Sequence, residues 1–313
     1  MRKISVITPC YNEEMNVLEC YQRLKLIMES KLSKYDYEHI FADNSSVDGT
    51  VKKLKEIASR DNRVKIIVNS RNVGPFRNMW NAMKSATGDA IVPLLPADLQ
   101  DPPEVISEFV SRWERGDLIV YGVRKNRQES LLMRVLRNLY YRIIYRFAEA
   151  VIPHNSGEFL LADKRVIQSV LSVDDAYPYI RGLIAQTAVR SSSVHYTWEK
   201  RKHGKSRNSI LDLLDQAING FVSTSRLPAR IALVFGFILS LIGILGGIVN
   251  LFLILFVEQS IQPGISTLLV VVFCFGGFQL LFLGIIGEYV LSIHSQIRRS
   301  PDMFEIERIN FEN

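Results

Sequence analysis

The chain has 313 residues, 48% of them hydrophobic and 22% charged, with a formal net charge of +6. That length predicts about two domains of roughly 150 residues each and is enough to bury a sizeable core. Its three cysteines, Cys10, Cys20 and Cys274, show neither a disulfide framework nor a metal-ligand spacing, which excludes a disulfide-stapled scaffold and a thiolate metal site.

From the amino terminus, Met1 to Pro9 has too short an apolar run for a signal peptide and no cleavage site. About 225 residues are therefore expected to stay on the cytoplasmic side. Ile4–Thr8 reads as a strand, followed by an amphipathic helix near Val17 to Leu32. Glu38–Ala42 is the next strand, a helix runs near Thr50 to Arg60, and Val64–Val68, Ala90–Leu95 and Leu118–Tyr121 continue the series. This alternation predicts a largely parallel sheet covered by helices. Polar residues follow the strands: Tyr11-Asn12-Glu13 after the first, Asp43-Asn44-Ser45-Ser46 after the second, and Asp98-Leu99-Gln100 after the fourth. Ligands of open α/β sheets bind outside the carboxyl ends of strands, so three acidic loops are expected to meet at one sheet edge. Asp101-Pro102-Pro103 reads as the turn that stops the fourth strand.

Further along, Leu131, Leu132, Val135, Leu136, Leu139, Tyr140, Ile143, Ile144 and Phe147 recur at helical spacing, with Arg134, Arg137, Arg142 and Arg146 interleaved. A second stripe, Ile210, Leu211, Leu213, Leu214, Ala217, Ile218 and Phe221, follows the basic run Lys200 to Arg207. Each stripe suits either a membrane surface or a core-facing helix. Ile231–Val257 and Ile265–Ile286 then carry no Lys, Arg, Asp or Glu, and each exceeds the about 20 apolar residues that span a bilayer. Gly246-Gly247 and Gly276-Gly277 permit the close helix approach that a two-helix hairpin needs. Arg226 and Arg230 precede the first span, and Arg298 and Arg299 follow the second, which predicts both termini in the cytoplasm. Beside two spans, the net positive charge points to anionic lipid rather than nucleic acid. The expected organisation is a catalytic domain over 1–208, an interfacial helix over 209–228, two spans within 229–292 and a tail over 293–313.

Four strings together, Pro9-Cys10-Tyr11-Asn12-Glu13-Glu14, Asp43 to Thr50, Ala97 to Glu104 and the carboxyl-terminal hairpin, resemble the family 2 glycosyltransferases that make polyprenyl-phosphate sugars. Dolichol-phosphate mannose synthase and the bacterial polyisoprenyl-phosphate glycosyltransferases belong to that group. The resemblance spans nearly the whole chain and implies a GT-A, Rossmann-like domain ahead of juxtamembrane helices and a membrane hairpin. It implies transfer of one sugar from a UDP- or GDP-sugar to undecaprenyl or dolichyl phosphate at the cytoplasmic face of the plasma membrane, possible homo-oligomers, and no nucleic acid. Carried over by position, Pro9, Tyr11, Asn12, Glu13, Asp43 and Ser46 would bind the donor. Asp98 and Gln100 would hold Mg²⁺ or Mn²⁺, which neutralises a leaving diphosphate through oxygen ligands. Arg124 would lie near that diphosphate, Glu158 of Gly157-Glu158-Phe159 would be a base or acceptor-orienting group, and Arg201, Lys205 and Ser206 would meet the acceptor phosphate.

The chain departs from that pattern at several positions. Pro96 stands where an Asp is frequent, Asn44 replaces a second Asp, Leu160 replaces an Arg, and Pro75-Phe76-Arg77 follows Arg71-Asn72-Val73-Gly74 in place of a Lys-Glu pair. Two other readings stay open. One is a polysaccharide-extending synthase, for which Ser111-Arg112-Trp113 lacks the Gln of a Gln-x-x-Arg-Trp string. The other is a catalytically silent nucleotide-sugar-binding membrane protein.

Overall fold

The computed structural model describes residues 1–125, 153–173, 178–199, 201, 265–297 and 303–311, with scattered helical positions from 234 to 252. Two compact units divide the chain: Met1–Leu213 together with Arg298–Asn313, and Leu214–Ile297.

The first unit is built on one eight-stranded sheet. Its elements are β1 (Lys3–Cys10), α1 (Val17–Ser30), β2 (Asp36–Asp43), α2 (Thr50–Ala58), β3 (Val64–Asn69), α3 (Pro75–Lys84), β4 (Ala90–Val92), α4 (Ile106–Glu114), β5 (Ile119–Lys125), β6 (Ser156–Asp163), α5 (Lys164–Leu171), α6 (Ile180–Gln186), β7 (Ser191–Thr197) and β8 (Glu305–Ile309). The strand order is β7-β5-β6-β4-β1-β2-β3-β8. β1 pairs in parallel with β2 and β4, β2 with β3, and β5 with β7, whereas β6 and β8 run antiparallel to their neighbours. The parallel centre is the one expected; the two reversed strands make the sheet mixed.

Strands buried on both faces account for the near-continuous apolar runs. Ile4, Val6, Phe159 and Tyr196 share one core cluster with Leu24 of α1 and Phe109 and Trp113 of α4, while Ile7, Ile40, Ile67, Tyr121 and Leu160 share another with Met79 of α3, Val166 of α5 and Ile184 of α6. β4 is shorter than the expected Ala90–Leu95. Pro93 has no N–H for the ladder and ends the strand at Val92, although Leu95 N still donates to Ile7 O at 2.8 Å. β8 is an edge strand paired with β3 and fixed by Asn81–Glu305 at 2.5 Å and Lys55–Glu307 at 2.6 Å. The segment read as a tail therefore rejoins the sheet.

At the end of the sheet away from the acidic loops, Glu38 is buried and receives Ser5 Oγ at 2.5 Å, Thr87 N at 2.7 Å, Lys65 Nζ at 2.7 Å and Lys3 Nζ at 3.0 Å. Burial pushes its pKa up, but these donors outweigh burial and hold it at about 2. Such a depressed value contributes about 3 kcal/mol above the unfolded-chain pKa, lost as pH falls from roughly 4.5 towards 2. Neighbouring His39 is held by burial at about 3, so it folds neutral and favours unfolding as pH drops below 6.5. We expect the unfolding midpoint, read by tryptophan fluorescence, to fall in two overlapping stages below pH 6.5. Glu38→Gln should flatten the lower stage and leave the upper one; an unchanged lower stage would refute the assignment. All three tryptophans, Trp80, Trp113 and Trp198, lie in the first unit, so the signal reports that unit.

In the second unit, α7 (Ile265–Ile297) is a 33-residue helix on which Leu268, Val271, Phe275, Leu280, Leu283 and Ile286 are exposed. Among the described residues no helix is long and apolar enough to cross a membrane. The stripes over 131–147 and 210–221 lie outside the described residues.

Candidate active site

Chain direction explains the convergence. β1, β2, β4, β5 and β7 all run the same way, and β6 runs opposite, so the carboxyl ends of the first five and the amino end of β6 share one edge. That edge gathers Tyr11 to Glu14, Asp43 to Ser46, Asp98 to Asp101, Arg124, Gly157-Glu158, Trp198, Glu199 and Arg201. The loops there hold non-glycine residues with positive φ: Asn12 at 56°, Ser45 at 65°, Leu99 at 57° and Asn155 at 58°. Left-handed backbone of this kind costs free energy and clusters where a loop must aim a side chain.

The first two loops are knitted together. Asn12 N donates to Ser46 Oγ at 2.9 Å, Val47 N to Asn12 Oδ1 at 2.9 Å, and Glu13 N to Thr50 Oγ1 at 2.9 Å. Asn12 and Ser46 thus spend their side chains on loop backbone. Asp43 is fully buried. Its Oδ2 accepts Ser46 N at 2.9 Å, while Oδ1 has no partner among the described residues. Burial raises the Asp43 pKa, and the Ser46 contacts offset part of the rise. Asn44, where a second Asp was the commoner expectation, bonds Asn72 Oδ1 at 2.8 Å and accepts Val73 N at 2.9 Å, which anchors the loop that follows β3. Pro9, in the β1 ladder opposite Ala42, leads into this pocket, as does Tyr11.

Leu99 sets the course of the loop from Asp98 to Asp101. Its side chain is buried in the core beside Leu95 and Ile106, which turns its flanking residues Asp98 and Gln100 towards the cleft. Gln100 N donates to Asp98 Oδ1 at 3.2 Å. Burial raises the Asp98 pKa against the opposing pull of that N–H and of Arg201, so its charge is under-compensated. Among the described residues no group of three or more His, Cys, Asp or Glu could hold a metal unaided. Mg²⁺ commonly takes one or two protein carboxylates and completes its shell with phosphate and water oxygens, and an under-compensated Asp98 beside Gln100 fits that demand.

Asp101 does more than end a strand. It is fully buried and grips Arg124 with two bonds, Nε to Oδ1 at 2.9 Å and Nη2 to Oδ2 at 2.7 Å, while Tyr196 OH donates to Oδ1 at 2.5 Å. Burial works against the Arg124 charge, but the Asp101 carboxylate overrides it and raises the Arg124 pKa. The guanidinium also lies 5.3 Å from the Trp198 ring centroid. Two glycines make room for this arrangement: a Cβ at Gly122 would stand 2.5 Å from Phe159 O and 2.9 Å from Tyr196 Cε1, and one at Gly157 would stand 3.4 Å from Arg124 Nη2. Glu158, next to Gly157, is half-buried at the same edge. The basic segment arrives through Glu199, whose N donates to Gln100 O at 2.9 Å. Arg201 then reaches Glu13 Oε1 at 2.6 Å and Asp98 Oδ2 at 3.7 Å. Lys205 and Ser206 lie outside the described residues.

A mixed α/β sheet that gathers acidic groups, the shielded Arg124 and Arg201 on one edge offers a cleft for an anionic ligand. Residues 5–171 match the model described as glycosyl transferase family 2, and the chain belongs to that family. It is 34% identical over 298 residues to the uncharacterized glycosyltransferase YkcC of Bacillus subtilis, covering 95% of this chain and 91% of the relative. It is 32% identical to the putative glycosyltransferase CsbB of the same organism, over 99% and 93% of the two chains. To the bactoprenol glucosyl transferase of Shigella phage SfII it is 27% identical, over 96% of each. Among solved structures, glucosyl-3-phosphoglycerate synthase from Mycobacterium tuberculosis aligns with a TM-score of 0.48 at 20% identity, over 71% of this chain and 79% of that one.

Proposed function

We propose that the protein transfers one sugar, with inversion, from a UDP- or GDP-sugar to a polyprenyl phosphate at the cytoplasmic face of the plasma membrane, with Mg²⁺ or Mn²⁺ as cofactor. The observation that carries this reading is the contact of Arg201 with both Glu13 and Asp98, which joins the basic acceptor-side segment to the acidic donor-side loops. The name of the phage relative, a bactoprenol glucosyl transferase, supports a polyprenyl acceptor.

Asp43 Oδ1, buried without a partner among the described residues, is ready to accept a hydrogen bond from the donor's nucleoside. Asp98 and Gln100 would hold the divalent cation, which supplies charge neutralisation for the diphosphate leaving group. Arg124, fixed by Asp101, adds positive charge that needs no reorganisation during the reaction. A phosphate monoester is ionised near neutral pH, so it can attack the anomeric carbon without a strong base, and direct attack inverts configuration. Glu158 then orients the acceptor rather than removing a proton. The exposed leucines and valines of α7 support membrane contact, since soluble proteins rarely expose an apolar patch of that extent. Residues Leu214–Ile297 leave from and return to one folded body. That favours an even number of crossings, in line with a two-span hairpin near 231–257 and 265–286 and with both termini cytoplasmic.

The test is a screen of UDP- and GDP-sugars against undecaprenyl phosphate with purified protein, reading lipid product by mass. One donor should yield a lipid-phosphate sugar. A flat result with every donor would overturn the reading, and Mn²⁺-dependent nucleotide binding without turnover would mark a silent binding protein instead.

A further inference from the structure

Three side chains anchor the segment from Asp98 to Glu104. Leu99 is buried in the core, Asp101 grips Arg124, and Glu104 binds Arg23 of α1. The third anchor is a fork on a fork: Arg23 Nε donates to Glu104 Oε1 at 3.1 Å and Nη2 donates to Oε2 at 2.7 Å. Glu104 is steadied from behind as well, since its carbonyl accepts Ser107 Oγ at 2.8 Å. Pro102 and Pro103 fix φ between Asp101 and Glu104, so a constraint at Glu104 is passed back along the loop.

The same guanidinium has a second acid. Its Nη1 lies 3.7 Å from Glu199 Oε2, and Glu199 N donates to Gln100 O at 2.9 Å. Glu199 follows β7 and immediately precedes the basic run Lys200 to Arg207. Arg23 thus ties together two segments that meet at Gln100 from far apart in the chain. Burial works against the Arg23 charge, but Glu104, then Glu199 and Glu19, outweigh it and raise its pKa. Without that charge, Glu104 and Glu199 would face each other as like charges. Carboxylates that share one guanidinium lie within about 10 Å, a Debye length at 0.1 M salt, so their repulsion is felt. It would pull on the Glu199–Gln100 bond rather than on the core. The Arg23, Glu104 and Glu199 side chains are 22%, 43% and 44% exposed, and pairs this open add little to folding.

Resting on the function proposed above, we infer that Arg23 is a positioning residue for sugar transfer: by neutralising Glu104 and Glu199 it keeps Glu199 docked on Gln100, and so keeps the cation loop and the segment after β7 in register. It acts only through these two acids. An arginine that served the fold alone would lower the unfolding midpoint and leave the kinetic constants in place. A positioning arginine does the reverse.

The test uses the full-length protein in lipid nanodiscs, with undecaprenyl phosphate, Mn²⁺ and the UDP- or GDP-sugar that the donor screen identifies. Arg23→Gln should raise the KM for undecaprenyl phosphate and the half-saturating Mn²⁺ concentration about fivefold, the upper end for an exposed ion pair, with kcat and the unfolding midpoint close to wild type. Hydrogen exchange of the peptide containing Glu199 should speed up in parallel. Arg23→Lys, which keeps the charge but loses the fork, should fall between the two. The deciding variant is Arg23→Gln with Glu199→Gln. It removes the repulsion and keeps the backbone bond to Gln100, so both constants and the exchange rate should return towards wild type. Unchanged constants in Arg23→Gln, a collapse of its unfolding midpoint, or no recovery in the double variant would each overturn the positioning role alone. If the wild-type protein transfers sugar from no donor, the transferase reading falls, and the positioning role with it.

Discussion

Replacing Asp98 with alanine is expected to lower the rate of sugar transfer by at least about a hundredfold, the scale seen when one preorganised electrostatic group is removed. The fold should survive. Among the described residues the Asp98 carboxylate accepts one backbone N–H, from Gln100 at 3.2 Å, and meets Arg201 at 3.7 Å. Burial already disfavours its charge, so removing it relieves a folding cost. The loop keeps its course because Leu99, not Asp98, anchors it in the core. Membranes carrying Asp98→Ala, supplied with labelled donor, should make almost no lipid-phosphate sugar while the purified protein unfolds at or above the wild-type midpoint. Ordinary turnover in this variant would refute its assignment as cation ligand, and a collapse of stability would show that the carboxylate serves the fold instead.

The edge on which the site lies was legible in the sequence because parallel strands carry two-sided apolar runs, and such runs end abruptly in polar residues. Tyr11-Asn12-Glu13, Asp43 and Asp98 all follow that rule. What was hidden had two physical sources. Strands β6, β7 and β8 pair by long-range contacts that no local period announces, although Val194, Tyr196 and Trp198 alternate with His195 and Thr197 in a way that signals a half-buried strand. Asp101 was hidden because Asp-Pro-Pro is an ordinary turn sequence. Its partners, Arg124 and Tyr196, stand 23 and 95 residues away, and only the sheet brings them together. Pro96 illustrates the converse. It marks a missing acidic group in the sequence, while the structure shows that a second carboxylate, Glu13, already lies near Asp98 through a shared arginine. Proximity of that kind depends on β1 and β4 being neighbours, which spacing along the chain does not reveal.

Asp101→Ala should have the larger effect on stability and a comparable effect on activity. The substitution leaves the Arg124 guanidinium, at 19% exposure, without its carboxylate, and it removes the acceptor of the Tyr196 hydroxyl. Breaking a buried pair by deleting one partner costs about 3–5 kcal/mol. For a unit of this size that corresponds to a fall of roughly 6–20 °C in the unfolding midpoint. Activity should fall as well, since Arg124 would lose the two bonds to Asp101 that fix its orientation and would adopt other rotamers. A charge-free double variant, Asp101→Leu with Arg124→Met, separates the two effects. Removing both charges takes away the desolvation cost along with the attraction, so much of the lost stability should return. Sugar transfer should not return, because no cation is left at that position to face the leaving diphosphate. Recovery of activity together with stability would mean that Arg124 matters only for packing. Recovery of stability alone assigns the Asp101–Tyr196 pair its role, that of holding a catalytic cation still.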